Sequence, residues 1–496
     1  SDAVPEVGVP VKLATSPGLL CRLDIEGSNV TALVDDREGS VRDPFVHYDA
    51  GKILFSYRKG GSDFFHLYEI GADGTGLRQL TDGPRDDIEP AYLPDGGIVF
   101  VSTRADRWVN CWCTQVATIH RCDGDGKNVR ALSANLEHDN TPWVLPDGRI
   151  LYQRWEYIDR KQVSYHHLWT MNQDGTGQMV YYGNMHPWGV FIDAKPIPGT
   201  KEVLMIDSPG HGAMEHAGNV ALLTAEFGPD EISAKRHIPK ADNCRDPYPF
   251  GKDCFLAARG SQILCMNRKG DSFVVYRAPE ELVKAGVWAH EPRPVIARPR
   301  EPVIPNRVNP GKTTGKLLLS DAYYGRNMTG IKPGAIAKLL VMESLPKPVN
   351  FTGGMDPLTY GGSFSLERIL GTVPVDPDGS AHFEVPANQA LFLIAMDKDD
   401  NSIKRMQSFL TVMPGETLSC IGCHEQRTGT QLTDRPRTAF ARPPSRIEPV
   451  AGVPDVFDFP RDIQPILDRH CVKCHNPDEY KGGVNLTGDR GPMFSI

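Results

Sequence analysis

Two short runs carry chemistry that neither a core nor a surface needs: Cys420-Ile-Gly-Cys423-His424 and Cys471-Val-Lys-Cys474-His475. Two thiols three positions apart, followed at once by an imidazole, are the attachment signature of c-type haem. The thiols add across the two vinyl groups of one porphyrin edge, and the histidine then lies under the ring and offers a nitrogen to iron. A C-x-x-C pair alone is equally redox-active or half a zinc site. The histidine after it, twice over and without a thioredoxin-like βαβ frame, selects two covalent haem c groups, with His424 and His475 on iron. Neither sixth ligand is fixed by spacing; Met493, shortly after the second motif, is a candidate for the second iron, and His470 sits too close to Cys471 to turn back.

The two motifs stand in different settings. Ile463, Ile466 and Leu467 precede the second at helical spacing, the apolar face that a small cytochrome packs on its haem. The first follows a β-rich stretch directly (MPGETLSCIGCHEQR), so its haem is expected at a domain interface, as a specialised site. The closing GGVNLTGDRGPMFSI reads as a cytochrome segment cut short.

The elements that must position these motifs show as a repeat. A polar residue, a proline, a Gly turn and a β-rich run recur with prolines at 44, 90, 142, 187, 247 and 292, spaced 46, 52, 45, 60 and 45. A second phrase, a strand ending in a Gly turn (LCRLDIEGSNV, LYEIGADGTGL), recurs six times as well. Two hairpins per unit of about 45 residues mark a β-propeller blade, and Asp-Gly turns between alternating runs support hairpins. Six blades are expected, the last completed by the N-terminal strand so that no edge is left open. The residues before the prolines (Asp43, Glu89, Thr141, His186, Asp246 and Glu291) are expected to start inner strands beside the channel. The long loop SPGHGAMEHAGN makes His211 and His216 candidate catalytic residues near the first haem.

Residues 293 to about 316 are rich in Pro and Arg and read as a stiff linker. Short alternating runs with Val373, Val375, His382, Glu384, Leu391 and Leu393 then point to a β-sandwich. Asp397, Asp399, Asp400 and Asn401 crowd one turn, read as an acidic hairpin tip or a calcium site. The expected fold is mainly β: a six-bladed propeller over 1–310, a sandwich-like domain over 311–415, and a small helical haem segment over 416–496.

With 54 Lys and Arg against 62 Asp and Glu the net charge is −8, which disfavours nucleic acid. The 48 glycines and 41 prolines exceed the usual share of about 12% and suit many turns. No apolar run approaches the ~18 residues of a membrane helix. Haem attachment is completed outside the cytoplasmic membrane, so the absent leader is read as a removed signal peptide and the protein as periplasmic or otherwise exported. Beyond the motifs stand Cys21, Cys111, Cys113, Cys122, Cys244, Cys254 and Cys265. Seven is odd, so at least one is free, metal-bound or paired with another chain. Cys244/Cys254 and Cys111/Cys122 are candidate disulfides, with buried free thiols as the alternative.

The order of these parts resembles the hydrazine synthase alpha family: propeller, HEPRPVIARPR bridge, GTVPVDPDGSAHFEVPAN module, then the two haem motifs. That resemblance implies a di-haem subunit of a periplasmic redox enzyme with other cytochrome subunits or a redox partner protein and a small inorganic substrate. It assigns Cys420 and Cys423 to a catalytic haem, and Cys471, Cys474 and His475 to a bis-histidine relay haem. It also implies that the first motif's histidine is diverted to a zinc shared with a propeller cysteine, for which Cys244, Cys254 and Cys265 are candidates. In the family pattern a tyrosine four residues later binds iron, and here that position is Thr428. That replacement argues against identical chemistry. The alternative is a non-catalytic electron-transfer or docking cytochrome that uses the propeller to bind its partner.

Overall fold

The computed structural model describes residues 18–24, 29–158, 161–186, 188–210, 216–347, 366–423, 428–429, 436–455 and 457–488. Five four-stranded antiparallel blades run over 40–79, 87–131, 139–182, 190–237 and 245–277. The third and fourth are joined by one parallel bridge between His166 and Val190. In the sixth position stand the paired strands Leu20–Arg22 and Thr31–Val34, with the segment at Glu291 bonded to Asp43 and Asp246.

Six residues with left-handed φ mark the inner strands: Asp43, Glu89, Thr141, Asp193, Asp246 and Glu291, at +48° to +59°. In the five complete blades each sits at a break in strand register, where a bulge turns the chain toward the axis. The fourth is Asp193, not His186. The proline phrase at 186–187 precedes the strand Val190–Pro196, whereas Asp193 lies inside it and is followed by Ala194. A short polar side chain tolerates left-handed backbone better than a bulky one, and such a conformation costs roughly 1–3 kcal/mol where the surroundings must impose it.

Here the surroundings are the neighbouring blades. The Asp43 amide donates to the Glu291 carboxylate at 2.6 Å and the Glu89 amide to Asp43 at 2.9 Å. The Thr141 amide donates to Glu89, Asp193 to the Thr141 hydroxyl and Glu291 to Asp246. These five bonds run head to tail from Asp193 through Thr141, Glu89, Asp43 and Glu291 to Asp246, and the Asp43–Glu291 bond joins the first blade to the last. Arg42 lies between Asp43 and Glu89, Lys195 beside Asp193 and Arg293 beside Glu291. Burial, reinforced by Asp43, still pushes Glu89 up to about 7.

The Pro- and Arg-rich segment is no free linker. It folds over one mouth of the channel. Arg298 stacks 4.1 Å from the Tyr48 ring centre, Arg300 4.8 Å from the same ring, and Arg293 5.7 Å from Trp143 and Tyr248. The Arg298 amide donates to the Tyr48 carbonyl, and the Gln173 side chain to the Pro302 carbonyl.

Beyond it, a four-stranded sheet (Leu366–Pro374, Lys338–Leu345, Leu391–Met396, Ser402–Arg405) faces a three-stranded one (Ala381–Pro386, Thr314–Asp321, Thr417–Gly422). Leu317, Leu339, Val341, Phe383 and Val385 fill the space between them. The crowded acidic turn is a hairpin tip: Asp397 accepts the Asp399 and Asn401 amides, and Asp400 pairs with Lys338.

The sandwich is seated on the propeller. Phe409, Phe392 and Met342 meet Leu136 and Ile158. Arg154, 1% exposed, lies 4.2 Å from the ring centres of both Trp169 of the propeller and Phe409 of the sandwich. The Ser408 hydroxyl donates to Glu156 across the seam at 2.8 Å. Burial also pushes Glu137 up to about 8, against the amide of Asn110 and the charge of Lys347. A carboxyl raised on folding binds more protons folded than unfolded. Its favourable contribution is complete below its ordinary value and is lost as pH rises through about 8. Thermal unfolding should therefore show stability falling between about pH 5 and 8. Glu137→Gln, which can keep the Asn110 bond, should flatten that slope by up to about 1.4 kcal/mol per pH unit.

Candidate functional site

The first motif begins inside the sandwich. Cys420 belongs to the strand Thr417–Gly422, which runs parallel to Thr314–Asp321 with Leu319 opposite Cys420. Cys420 and Cys423 pack, partly buried, against the sandwich core. The Cys423 amide donates to the Tyr324 carbonyl at 2.8 Å. A Cβ on Gly422 would stand 2.1 Å from the Tyr324 carbonyl oxygen, and one on Gly325 1.7 Å from that of Cys423. Two backbones cross here at a distance that only paired glycines allow, so the second thiol of the motif is set by main chain.

The propeller meets this corner through the 225–234 loop of the fourth blade. Asp230 pairs with Arg326 at 3.0 Å, next to Gly325. The Thr428 methyl lies against Gly228, 2.6 Å from where a Cβ would be. The backbone of Asp230 takes a hydrogen bond from the His186 ring, whose value burial nonetheless lowers. His186 Nε2 and Asp230 Oδ1 are both shielded from solvent without a hydrogen-bond partner. A neutral imidazole whose Nδ1–H is held by a carbonyl presents Nε2 as a free lone pair, the state of a metal-ligating histidine. The proline phrase had placed His186 at the channel; it stands instead beside Asp230, whose ion-pair partner Arg326 follows Gly325 at the first motif. His216 is exposed on the loop before Asn219–Thr224. His211, His424 and Met493 lie outside the described residues.

The second motif follows a short helical run. The Asp458 carboxylate accepts the Arg461 amide at 2.8 Å and starts it, a π-turn covers Phe459–Ile463, and an α-helix Gln464–His470 delivers Cys471. The Cys474 and His475 amides both donate to the Cys471 carbonyl, at 3.1 and 3.0 Å. His475 Nδ1 lies 2.8 Å from the Lys481 carbonyl oxygen, so Nδ1 carries the proton and Nε2 is left as donor to a metal. Ile466 on the helix before the motif is 54% exposed, and Val484 after it 44%. This donor set fits c-type haem.

Among the described residues no disulfide joins two cysteines. Cys122 packs in the core of the first three blades and Cys111 in a separate cluster with Val109 and Trp155, so they are not neighbours. Cys244 is buried and engaged with the Asp242 carbonyl and Arg259, while Cys254 stands beside Cys265. Among the described residues no three His, Cys, Asp or Glu side chains gather as a metal cluster, and no helix is long and apolar enough to cross a membrane.

Comparison with known proteins follows the same lines. The family described as the hydrazine synthase alpha subunit middle domain matches residues 351–425. The alpha subunit of hydrazine synthase from Kuenenia stuttgartiensis is 20% identical, over 90% of this chain and 74% of its own. The solved hydrazine synthase structure from Kuenenia stuttgartiensis superposes with a TM-score of 0.76 at 18% identity, over 93% of this chain and 77% of that one. The likeness in structure shows that the fold is shared.

Proposed function

We propose that this chain of a hydrazine synthase alpha-like family is an exported di-haem c-type cytochrome and a redox enzyme subunit. The observation that carries the reading is His475. Its Nδ1 is tied to the Lys481 carbonyl, and its Nε2 is free one residue after the thiol pair. Cys471 and Cys474 would hold the relay haem, with His475 on its iron. Cys420 and Cys423 would hold the first haem at the seam between sandwich and propeller, where His186 and Asp230 supply the polar groups. When bound, c-type haem would supply a redox-active iron able to take up a small nitrogen or oxygen ligand.

The chain's own part is to orient and to shield. The Gly325–Gly422 crossing fixes the first thiol pair, Arg326 neutralises Asp230, and Asp230 aims the His186 ring. The propeller, the sandwich that carries Cys420 and Cys423, and the helical segment of the second motif would then serve as partner surface, catalytic seam and electron entry. Other cytochrome subunits or a redox protein are the partners, and the substrate is small and inorganic.

Intact mass of the exported protein should show two added porphyrins. The oxidised spectrum should contain a high-spin component that moves with cyanide or nitric oxide. Two low-spin, ligand-inert haems would instead mark an electron-transfer protein, and no added porphyrin would overturn the haem reading. In His186→Ala the spin balance of one haem, not both, should change, and free imidazole should restore it. An unchanged spectrum would remove His186 from the site.

A further inference from the structure

Seven cysteines stand outside the haem motifs, and two of them are side by side. Cys254 opens the second strand of the fifth blade (Cys254–Arg259), and Cys265 lies in the third (Gln262–Met266). The register sets Phe255 against Met266 and Leu256 against Cys265. Cys254 and Cys265 are therefore diagonal neighbours on the same face of the blade, because side chains alternate along each strand. Their Sγ atoms are 3.3 Å apart. Both residues are partly exposed, unlike Cys122 and Cys244, which are buried. The hairpin between them turns at Gly260, whose φ is +56°. Nothing in the proposed haem chemistry uses either thiol.

We propose that Cys254 and Cys265 are an oxidisable pair that forms a reversible disulfide, welding the second and third strands of the fifth blade. The sulfurs must close from 3.3 Å to about 2.05 Å, within reach of side-chain rotation and a small shift at a hairpin end. The oxidant is a small-molecule disulfide such as oxidised glutathione. The Cys254 thiolate attacks one of its sulfurs, forming a mixed disulfide and releasing one glutathione thiol. The Cys265 thiolate then attacks the Cys254 sulfur, forming the protein disulfide and releasing the second. Two thiols of the protein lose two protons and two electrons, and one glutathione disulfide becomes two thiols. Burial, and the adjacent Cys254, push the Cys265 thiol up to about 12. Once Cys254 is in the mixed disulfide its own influence on Cys265 is removed, and proximity drives the second, intramolecular step.

The inference is independent of the haem assignment, and one experiment separates the two. The full-length protein is equilibrated with oxidised glutathione, denatured, alkylated without reductant and digested. Cys254 and Cys265 should be recovered in one cross-linked peptide, two hydrogens lighter than the reduced pair, and should label only after reduction. The same spectra report the haem peptides separately. Labelling of both thiols without reductant, or recovery of either cross-linked to a third cysteine, overturns the proposal. Oxidation should raise the melting temperature by a few degrees, as expected for a loop of this length. Cys254→Ser and Cys265→Ser should each abolish that difference, and its survival in either variant also overturns the proposal.

Discussion

Replacing Cys420 and Cys423 together by serine should leave an exported protein with one porphyrin instead of two, and should remove every spectral response to cyanide or nitric oxide. Serine keeps the size of each side chain, and the strand Thr417–Gly422 is held by main-chain pairing to Thr314–Asp321, so the sandwich survives the change. The mirror experiment gives the contrast. Cys471→Ser with Cys474→Ser should also remove one porphyrin, leave the ligand response in place, and end reduction by an external electron donor. Intact mass and difference spectra read both. Retention of the ligand response in the first variant would place the reactive haem elsewhere.

The second large effect is expected far from either motif. Arg154→Met should lower stability by about 3–5 kcal/mol, because it strips a buried cation from carboxylates that stay behind. Glu156 lies 3.7 Å from the guanidinium. Asp139 is pushed up to about 6 by burial, and the Arg154 charge is the largest influence holding it down. The same side chain fills the gap between Trp169 and Phe409, so its loss also loosens the sandwich from the propeller. The urea midpoint should fall, and protease should cut near the seam under conditions where the wild type resists. Adding Asp139→Asn should recover part of the loss, since it removes one of the abandoned charges. A midpoint unmoved by Arg154→Met would mean the seam is held by apolar packing alone.

The repeat was readable in the sequence because Asp-Gly turns and proline phrases recur with each blade. The fourth blade shows where that reading stops. Its phrase contains a proline at 187, and counting prolines gives steps of 45 and 60 on either side. Counting the left-handed residues instead gives 52 and 53 on either side of Asp193. The physical requirement is a side chain that tolerates the bulge and reaches the next blade's amide, and proline only accompanies it. The haem motifs were legible as spacings, and the helix before Cys471 as a periodic pattern. That Cys420 sits in a sheet was not, since Thr-Leu-Ser-Cys-Ile-Gly has too few β-branched residues to announce a strand and depends on Thr314–Asp321 for its partner. His186 was assigned to the channel because nothing local records that the 225–234 loop folds back to meet it. Tertiary proximity across blades leaves no trace in spacing.

The chain of side-chain bonds around the channel also sets an order of assembly. Asp43 and Glu291, which join the first blade to the last, are 248 residues apart. Bringing such distant points together costs on the order of 5 kcal/mol in chain entropy, to be recovered only once contact is made. The five complete blades are each local in sequence and can form as the chain emerges, but the ring is sealed only after Glu291 and the arginine segment behind it arrive. Until then Phe45, Trp143 and Tyr248 face an uncovered axis. A chain halted between the fifth blade and Pro302 would hold five finished blades around an open cleft, a sticky intermediate that the last stretch of propeller sequence exists to close.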